Sequence, residues 1–177
     1  QENGSKAEAY VYQVLNRLYG KSENMQVFHS SVISNRERKR SECEIDFILL
    51  SEKFILCVEV KGGLISYDPL SQFWTQNSRP LADPVNQAIA NQHAFIDRFR
   101  DNLNDIQVFW AVCFPDMELK SNALPPQAQV YNIIGAQELN YIEHYIQDVE
   151  AQAYKLRSEG VFPPRAARYA QKQIYGV

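Results

Sequence analysis

The sequence predicts an α/β fold, a mixed β-sheet with helices packed on it. Three observations carry this reading. An amphipathic stripe opens the chain, two apolar strand-type runs flank a short polar break, and later apolar runs alternate with helical patterns. Strand and helix signals mixed in this way build layered sheet-and-helix domains. A length of 177 residues suits one domain, or one domain with an appendage.

The first helix is expected over Lys6 to Leu18. Ala7, Tyr10, Val11, Val14, Leu15 and Leu18 recur at three- and four-residue spacing and give one apolar face. Gly20 ends it. A strand follows at about Val27 to Ile33, and then a basic loop, Asn35 to Ser41. Glu42 to Leu50 and Phe54 to Lys61 are two β-type runs around Ser51-Glu52-Lys53, a hairpin pattern closed by Gly62-Gly63. Ile65, Tyr67, Phe73 and Trp74 predict a further short strand or two. Asp83-Pro84 opens the next helix, because Asp caps free N–H groups and Pro suits the first helical position. Ala88, Ile89, Phe95, Ile96 and Phe99 supply its apolar side. Gln107 to Phe114 reads as a buried central strand, and Val130 to Ile134 as a second. Gly135 leads into one long helix, about Gln137 to Arg157. Pro163-Pro164 breaks it, and a short basic helix ends the chain. The division expected is a domain over residues 1–135 and a helical extension over 136–177, packing on it or leading to a further domain. The chain starts with Gln, which fits a piece cut from something longer.

Composition narrows the function classes. A formal net charge of −3 argues against a basic nucleic-acid coat protein. No apolar run reaches the length of a membrane span and no signal-peptide pattern opens the chain, so no membrane partner is expected. Cys43, Cys57 and Cys113 sit in apolar strand-like runs without CxxC spacing. They read as buried free thiols of a reducing, cytoplasmic compartment.

The hairpin carries the chemistry. Period-2 alternation puts Cys43, Ile45, Phe47 and Leu49 on one face of the first strand and Glu44, Asp46, Ile48 and Leu50 on the other. On the second strand, Ile55, Cys57, Glu59 and Lys61 share a face. Both strands are apolar on both faces, so Asp46, Glu59 and Lys61 interrupt a buried pattern. A buried charge without partners is costly, so the three are expected to face one another or a metal. If Leu50 pairs with Ile55, Asp46 falls directly opposite Glu59, with Cβ atoms about 5 Å apart. A one-residue slip would put them on opposite faces, so the shared-site reading requires a hairpin loop of two or four residues, and a three-residue loop would count against it. Paired carboxylates repel unless a cation sits between them, and oxygen donors suit Mg²⁺. Lys61 points to the same spot, where it could orient a water or stabilise charge on a phosphate.

These residues resemble the metal-binding signature of the PD-(D/E)XK, or restriction-endonuclease-like, nuclease superfamily. More narrowly, the chain is similar to the nuclease-related domain, NERD. Gly4 with Glu8, Glu44-Ile45-Asp46-Phe47-Ile48-Leu49, Val58-Glu59-Val60-Lys61-Gly62, Trp74, and Pro84 with Gln87 carry the likeness. Asp83-Pro84 stands where Asn-Pro is frequent, and Ile45, not Pro, precedes Asp46. The resemblance implies a restriction-endonuclease-like core in αβββαβ order and a DNA phosphodiester hydrolase using Mg²⁺ or Mn²⁺. It implies Asp46, Glu59 and the Val60 carbonyl as metal ligands and Lys61 as the residue that positions the water. Glu8 would be a helix-borne acid and Gln87 a polar support. It further implies membership of a larger repair or phage-defence protein, with a fused or separate helicase or ATPase. Helical geometry adds that Glu8 lies about 20° from Leu15, at the edge of the apolar stripe.

Other readings stand beside these. Asp46, Glu59 and Lys61 could form a structural ion-pair cluster. Glu8 could be an exposed helix-start carboxylate and Gln87 a plain polar helix residue. Arg36, Arg38, Lys39 and Arg40 are either a solvated loop or a contact to a nucleic-acid backbone. Trp74 and Trp110 read as core, and the three histidines carry no assigned role. The alternative function is a non-catalytic nucleic-acid-binding or assembly module that keeps the fold.

Overall fold

A computed structural model describes residues 2–34, 42–118 and 124–161. Helix α1 (Glu2–Tyr19) leads into strands β1 (Met25–Ser34), β2 (Glu42–Ser51) and β3 (Phe54–Val60). Three short strands follow: β4 (Ile65–Asp68), β5 (Phe73–Gln76) and β6 (Arg79–Leu81). Helix α2 (Pro84–Phe99) precedes β7 (Gln107–Cys113), and β8 (Ile133–Ile134), α3 (Ala136–Asn140) and α4 (Ile142–Ser158) complete the order. The main sheet is mixed, in the order β1-β2-β3-β7-β8, and β4-β5-β6 form a separate antiparallel sheet. The order αβββαβ found at the front of the chain therefore agrees with a restriction-endonuclease-like core.

The central pair is β3 and β7. They run parallel, Phe54 opposite Gln107 through Val60 opposite Cys113. Every residue of both strands is buried, as parallel strands covered on both faces should be. On one side, Val11 and Leu15 of α1 and Tyr145, Ile146 and Val149 of α4 pack on Phe47, Leu49, Leu56 and Val58. On the other, Phe95 and Ile96 of α2 pack on Ile48, Ile55, Cys57 and Val108. The β4-β5-β6 sheet docks through Ile65 and Trp74 on Val85, Trp110, Val112 and Phe114. Asp83 caps α2 as its sequence dictates, its carboxylate accepting the N–H groups of Val85 and Asn86 at 2.9 and 3.0 Å.

Three sequence expectations are corrected. Val130 to Ile134 is not one strand. Residues 130–132 form a 3-10 turn, and only Ile133 and Ile134 pair with β7. The cause is Asn132, whose buried amide donates to the Trp110 carbonyl at 2.7 Å and accepts the Gln129 N–H at 2.9 Å. Val130 is left exposed. The long helix is two helices, broken at Tyr141 with φ −120° and ψ 43°. The short α3 is fixed by Ala136 N–H to the Met117 carbonyl, and α4 by its own apolar stripe against the sheet. Weak helix formers, Asn140 and Tyr141, sit between these two anchors.

The third correction concerns β2. Ile45 packs with Ile48 and Ile55 on the α2 side, not with Phe47 and Leu49 on the α1 side. The change of side occurs at Asp46. The β1–β2 ladder runs from His29 opposite Phe47 to Ser31 opposite Ile45, omitting Ser30 and Asp46, and Ser30 adopts φ 52°. The register is the same on either side, so this is a kink without an inserted residue.

Candidate functional site

Asp46, at that kink, begins the site. The β2–β3 hairpin has the expected register, with Leu50 opposite Ile55 and Phe47 opposite Val58. Its connection is even-numbered, and the Ser51 hydroxyl accepts the N–H groups of Lys53 and Phe54 to close it. The ladder ends one pair before Asp46 and Glu59. There the Asp46 side chain replaces a strand partner, and its Oδ2 accepts the Val60 N–H at 2.8 Å.

Glu59 enters from the end of β3. Its Oε1 lies 3.2 Å from the Lys61 ammonium, and its Oε2 accepts from the Asn91 amide at 3.1 Å. Asn91 is held in turn by the Cys43 thiol, which donates to its Oδ1 at 2.8 Å. Lys61 continues the parallel pairing past β3, its N–H donating to the Cys113 carbonyl at 2.9 Å. Its backbone is therefore fixed by the central sheet while its side chain reaches Glu59.

Asp46 and Glu59 are 9% and 4% exposed, the two carboxylates buried among the described residues. Burial pushes Asp46 up to about 6, opposed by its Val60 hydrogen bond and raised further by Glu8. Burial, and then the neighbouring Asp46, push Glu59 up to about 7, against the pull of Lys61. Glu8 of α1 faces this pair and is held by His29, with Nε2 to Oε2 at 3.3 Å. His29 itself stacks on Phe47, ring centroids 4.7 Å apart.

These groups line one cleft of about 750 Å³. Glu8, Asp46, Glu59, Val60 and Lys61 form part of its wall, and Gly62, Gln76, Asn77, Arg79 and Pro80 the rest. Gln87 does not line it. That residue is exposed on α2, and the helix reaches the site one turn later through buried Asn91. Arg36, Arg38, Lys39 and Arg40 lie outside the described residues.

A model of the nuclease-related domain matches residues 3–115, well over half of the chain. The chain belongs to the nuclease-related domain family. The matched span contains every described residue of the cleft, the whole of β1 to β7, all of α2 and all but the first residue of α1. Helices α3 and α4 lie beyond it. No curated protein matches the chain. The PD-(D/E)XK placement of NERD agrees with the site's position, on two adjoining strands of a mixed sheet.

Sequence reasoning missed several residues that line the NERD cleft or hold its carboxylates. Asn91 had a signal, because Ala88, Asn91, Gln92 and Phe95 follow helical spacing and place a polar group on the buried stripe. Gln76, Asn77, Arg79 and Pro80 had none. They reach the cleft only because the small sheet folds back to it. His29 likewise gains a partner only through the approach of α1 to β1.

Among the described residues, no group of three or more His, Cys, Asp or Glu stands together as a metal site. The donor set available is two carboxylates and backbone carbonyls. Those are hard oxygen donors, which suit an ion that keeps part of its water. The raised carboxylates fit this in kind, since a cation beside them would restore the ionised form that burial disfavours. No helix among the described residues is long and apolar enough to cross a membrane.

Proposed function

We propose that this domain hydrolyses phosphodiester bonds in DNA with Mg²⁺ or Mn²⁺. The observation that carries the reading is the convergence of Asp46, Glu59 and Lys61 in one cleft of a nuclease-related domain. Asp46, Glu59 and the Val60 carbonyl would hold the ion. Such an ion supplies Lewis acidity and neutralises charge developing on a phosphate.

The protein's own groups have separable tasks. Asp46 and Glu59 provide negative charge that burial makes costly without a cation. Lys61, on backbone pinned to β7, orients the attacking water and holds its position beside the phosphate. Asn91 fixes the rotamer of Glu59 through its amide. Glu8, oriented by His29, adds an acid at the cleft edge for proton handling. The net charge of −3 favours delivery of DNA by a helicase or ATPase, fused or separate, in a larger cytoplasmic repair or defence protein.

The test is cleavage of plasmid and labelled oligonucleotides in Mn²⁺, with Mn²⁺ binding followed by calorimetry. Lys61→Ala should lose at least about a hundredfold in rate, given the usual contribution of a positioned catalytic group. It should still bind Mn²⁺. Equal cleavage by Lys61→Ala would overturn the mechanism. Absence of Mn²⁺ binding, abolished in neither Asp46→Asn nor Glu59→Gln because it never occurred, would favour the non-catalytic module.

A further inference from the structure

The cleft has a second wall that the metal and water chemistry leaves unused. It is built by the turn between β5 and β6. Gln76 pairs with Arg79 across this turn, leaving Asn77 and Ser78 as a two-residue connection. Both adopt positive φ, 50° and 64°. That is the backbone of a type I′ hairpin turn, which favours Asn and Gly. Ser78 is therefore strained, and such strain persists where the surroundings hold a segment in place.

The holding contacts all lead to the residues after Lys61. Asn77 Oδ1 accepts the Leu64 N–H at 2.9 Å, and the Asn77 N–H donates to the Leu64 carbonyl at 2.8 Å. The Gln76 amide donates to the Gly62 carbonyl at 2.7 Å. The Gly63 N–H donates to Asp116 at 2.6 Å. Gly63, at φ 83°, makes the close approach possible, because a Cβ there would meet the Asn77 side chain at 2.8 Å. The turn is thus bolted to the segment that carries the proposed catalytic lysine.

Arg79 leaves this turn on the same face as Gln76, since directly opposed residues of an antiparallel pair share a face. Both line the cleft. Lys61, the other cation lining it among the described residues, is matched by Glu59 at 3.2 Å. Arg79 is exposed and has no ion-pair partner among the described residues. The cleft's three carboxylates come from α1, β2 and β3, whereas this guanidinium comes from the small sheet. An unpaired guanidinium, carried on an anchored turn into a cleft otherwise rich in carboxylates, is a site for an anion. A planar guanidinium fork matches two oxygens of a phosphate.

We infer that Arg79 is a phosphate-anchoring residue. It holds a backbone phosphodiester next to the one presented to Asp46, Glu59 and Lys61, and so fixes the register of the strand in the cleft. This rests on the nuclease reading above.

The test measures binding of a fluorescein-labelled DNA duplex with a single-stranded overhang, by anisotropy over a range of KCl, with Ca²⁺ replacing Mn²⁺ to suppress turnover. Cleavage kinetics in Mn²⁺ run alongside. Arg79→Ala should raise Kd and KM about tenfold, leave kcat within about twofold, and lower the salt slope by about one unit. Arg79→Lys should recover part of the affinity. Arg98→Ala, a cation at the far end of α2, should change nothing. If Arg79→Ala proves poorly folded by thermal melting, Arg79→Gln takes its place with the same expectations. Wild-type Kd and salt slope in these variants, with a wild type that cleaves, would overturn this inference alone. A wild type that neither binds nor cleaves DNA would bring down the nuclease reading and this inference with it.

Discussion

Asp46 and Val60 lie on neighbouring strands, and the Asp46 carboxylate accepts the Val60 N–H at 2.8 Å where the β2–β3 ladder has ended. A residue proposed to hold the metal ion is thereby also a piece of the sheet. Its two duties separate by substitution. Asp46→Asn keeps an acceptor for the Val60 N–H, while Asp46→Ala leaves that buried donor unmet. The Asn variant should be more stable than the Ala variant by about 1–3 kcal/mol in urea unfolding. Equal stability would remove the structural duty.

The buried carboxylates give the metal-free domain an unusual pH response. Asp46 stands at about 6 and Glu59 at about 7, both raised first by burial, against ordinary values of 3.8 and 4.5. Between about pH 4 and 7 the folded state therefore holds protons that the unfolded chain has released. By linkage, their contribution lowers stability as pH rises through that window. Asp46→Asn removes one such group and relieves its neighbour. Its stability relative to the wild type should grow from near zero at pH 4 to about 2–3 kcal/mol at pH 8. A difference flat with pH, in chelator-treated protein, would contradict the burial account.

Asn91 and Gln87, one helical turn apart on α2, should behave oppositely. Asn91 is buried and donates to Glu59, whereas Gln87 is exposed. Asn91→Ala should destabilise the domain by about 1–3 kcal/mol at pH 8, because a buried carboxylate oxygen loses its donor. Gln87→Ala should stay within about 0.5 kcal/mol of the wild type. Denaturant midpoints of the two variants check this, and a larger cost at Gln87 would refute the placement of α2.

Gly63→Ala tests the bolt between the β5–β6 turn and the chain after Lys61. Positive φ and the 2.8 Å approach to Asn77 both oppose a methyl group. The expected cost is about 1–3 kcal/mol, concentrated locally. Hydrogen exchange should speed at the amides of Leu64 and Asn77 more than at Leu56 in the central strand. Uniform acceleration would mean that the turn is not a separate unit.

The pattern of these residues shows where sequence reading reaches. The charged set was legible because two-sided burial leaves few ways to place Asp46 and Glu59, whereas the hairpin register stayed conditional until the four-residue turn Ser51 to Phe54 paired Leu50 with Ile55. The start of α2 was legible because Asp83-Pro84 acts locally through cap geometry. The kink at Ser30 and Asp46 was not, because alternation assumes a regular strand and Ser at positive φ carries no residue-type warning. The break at Tyr141 was hidden for a similar reason. Leu139, Ile142, Tyr145 and Ile146 keep a continuous helical stripe through it.

The sequence by itself determined the α/β class, the family likeness and the Asp46-Glu59-Lys61 set as charges that need partners. Each follows from local spacing, which a linear pattern records. Tertiary structure alone decided that Asn91 serves Glu59, that His29 holds Glu8, and that the small sheet brings Arg79 to the same cleft. Those contacts join residues far apart in the chain, and they form only when the helices and the second sheet settle on the faces of the first.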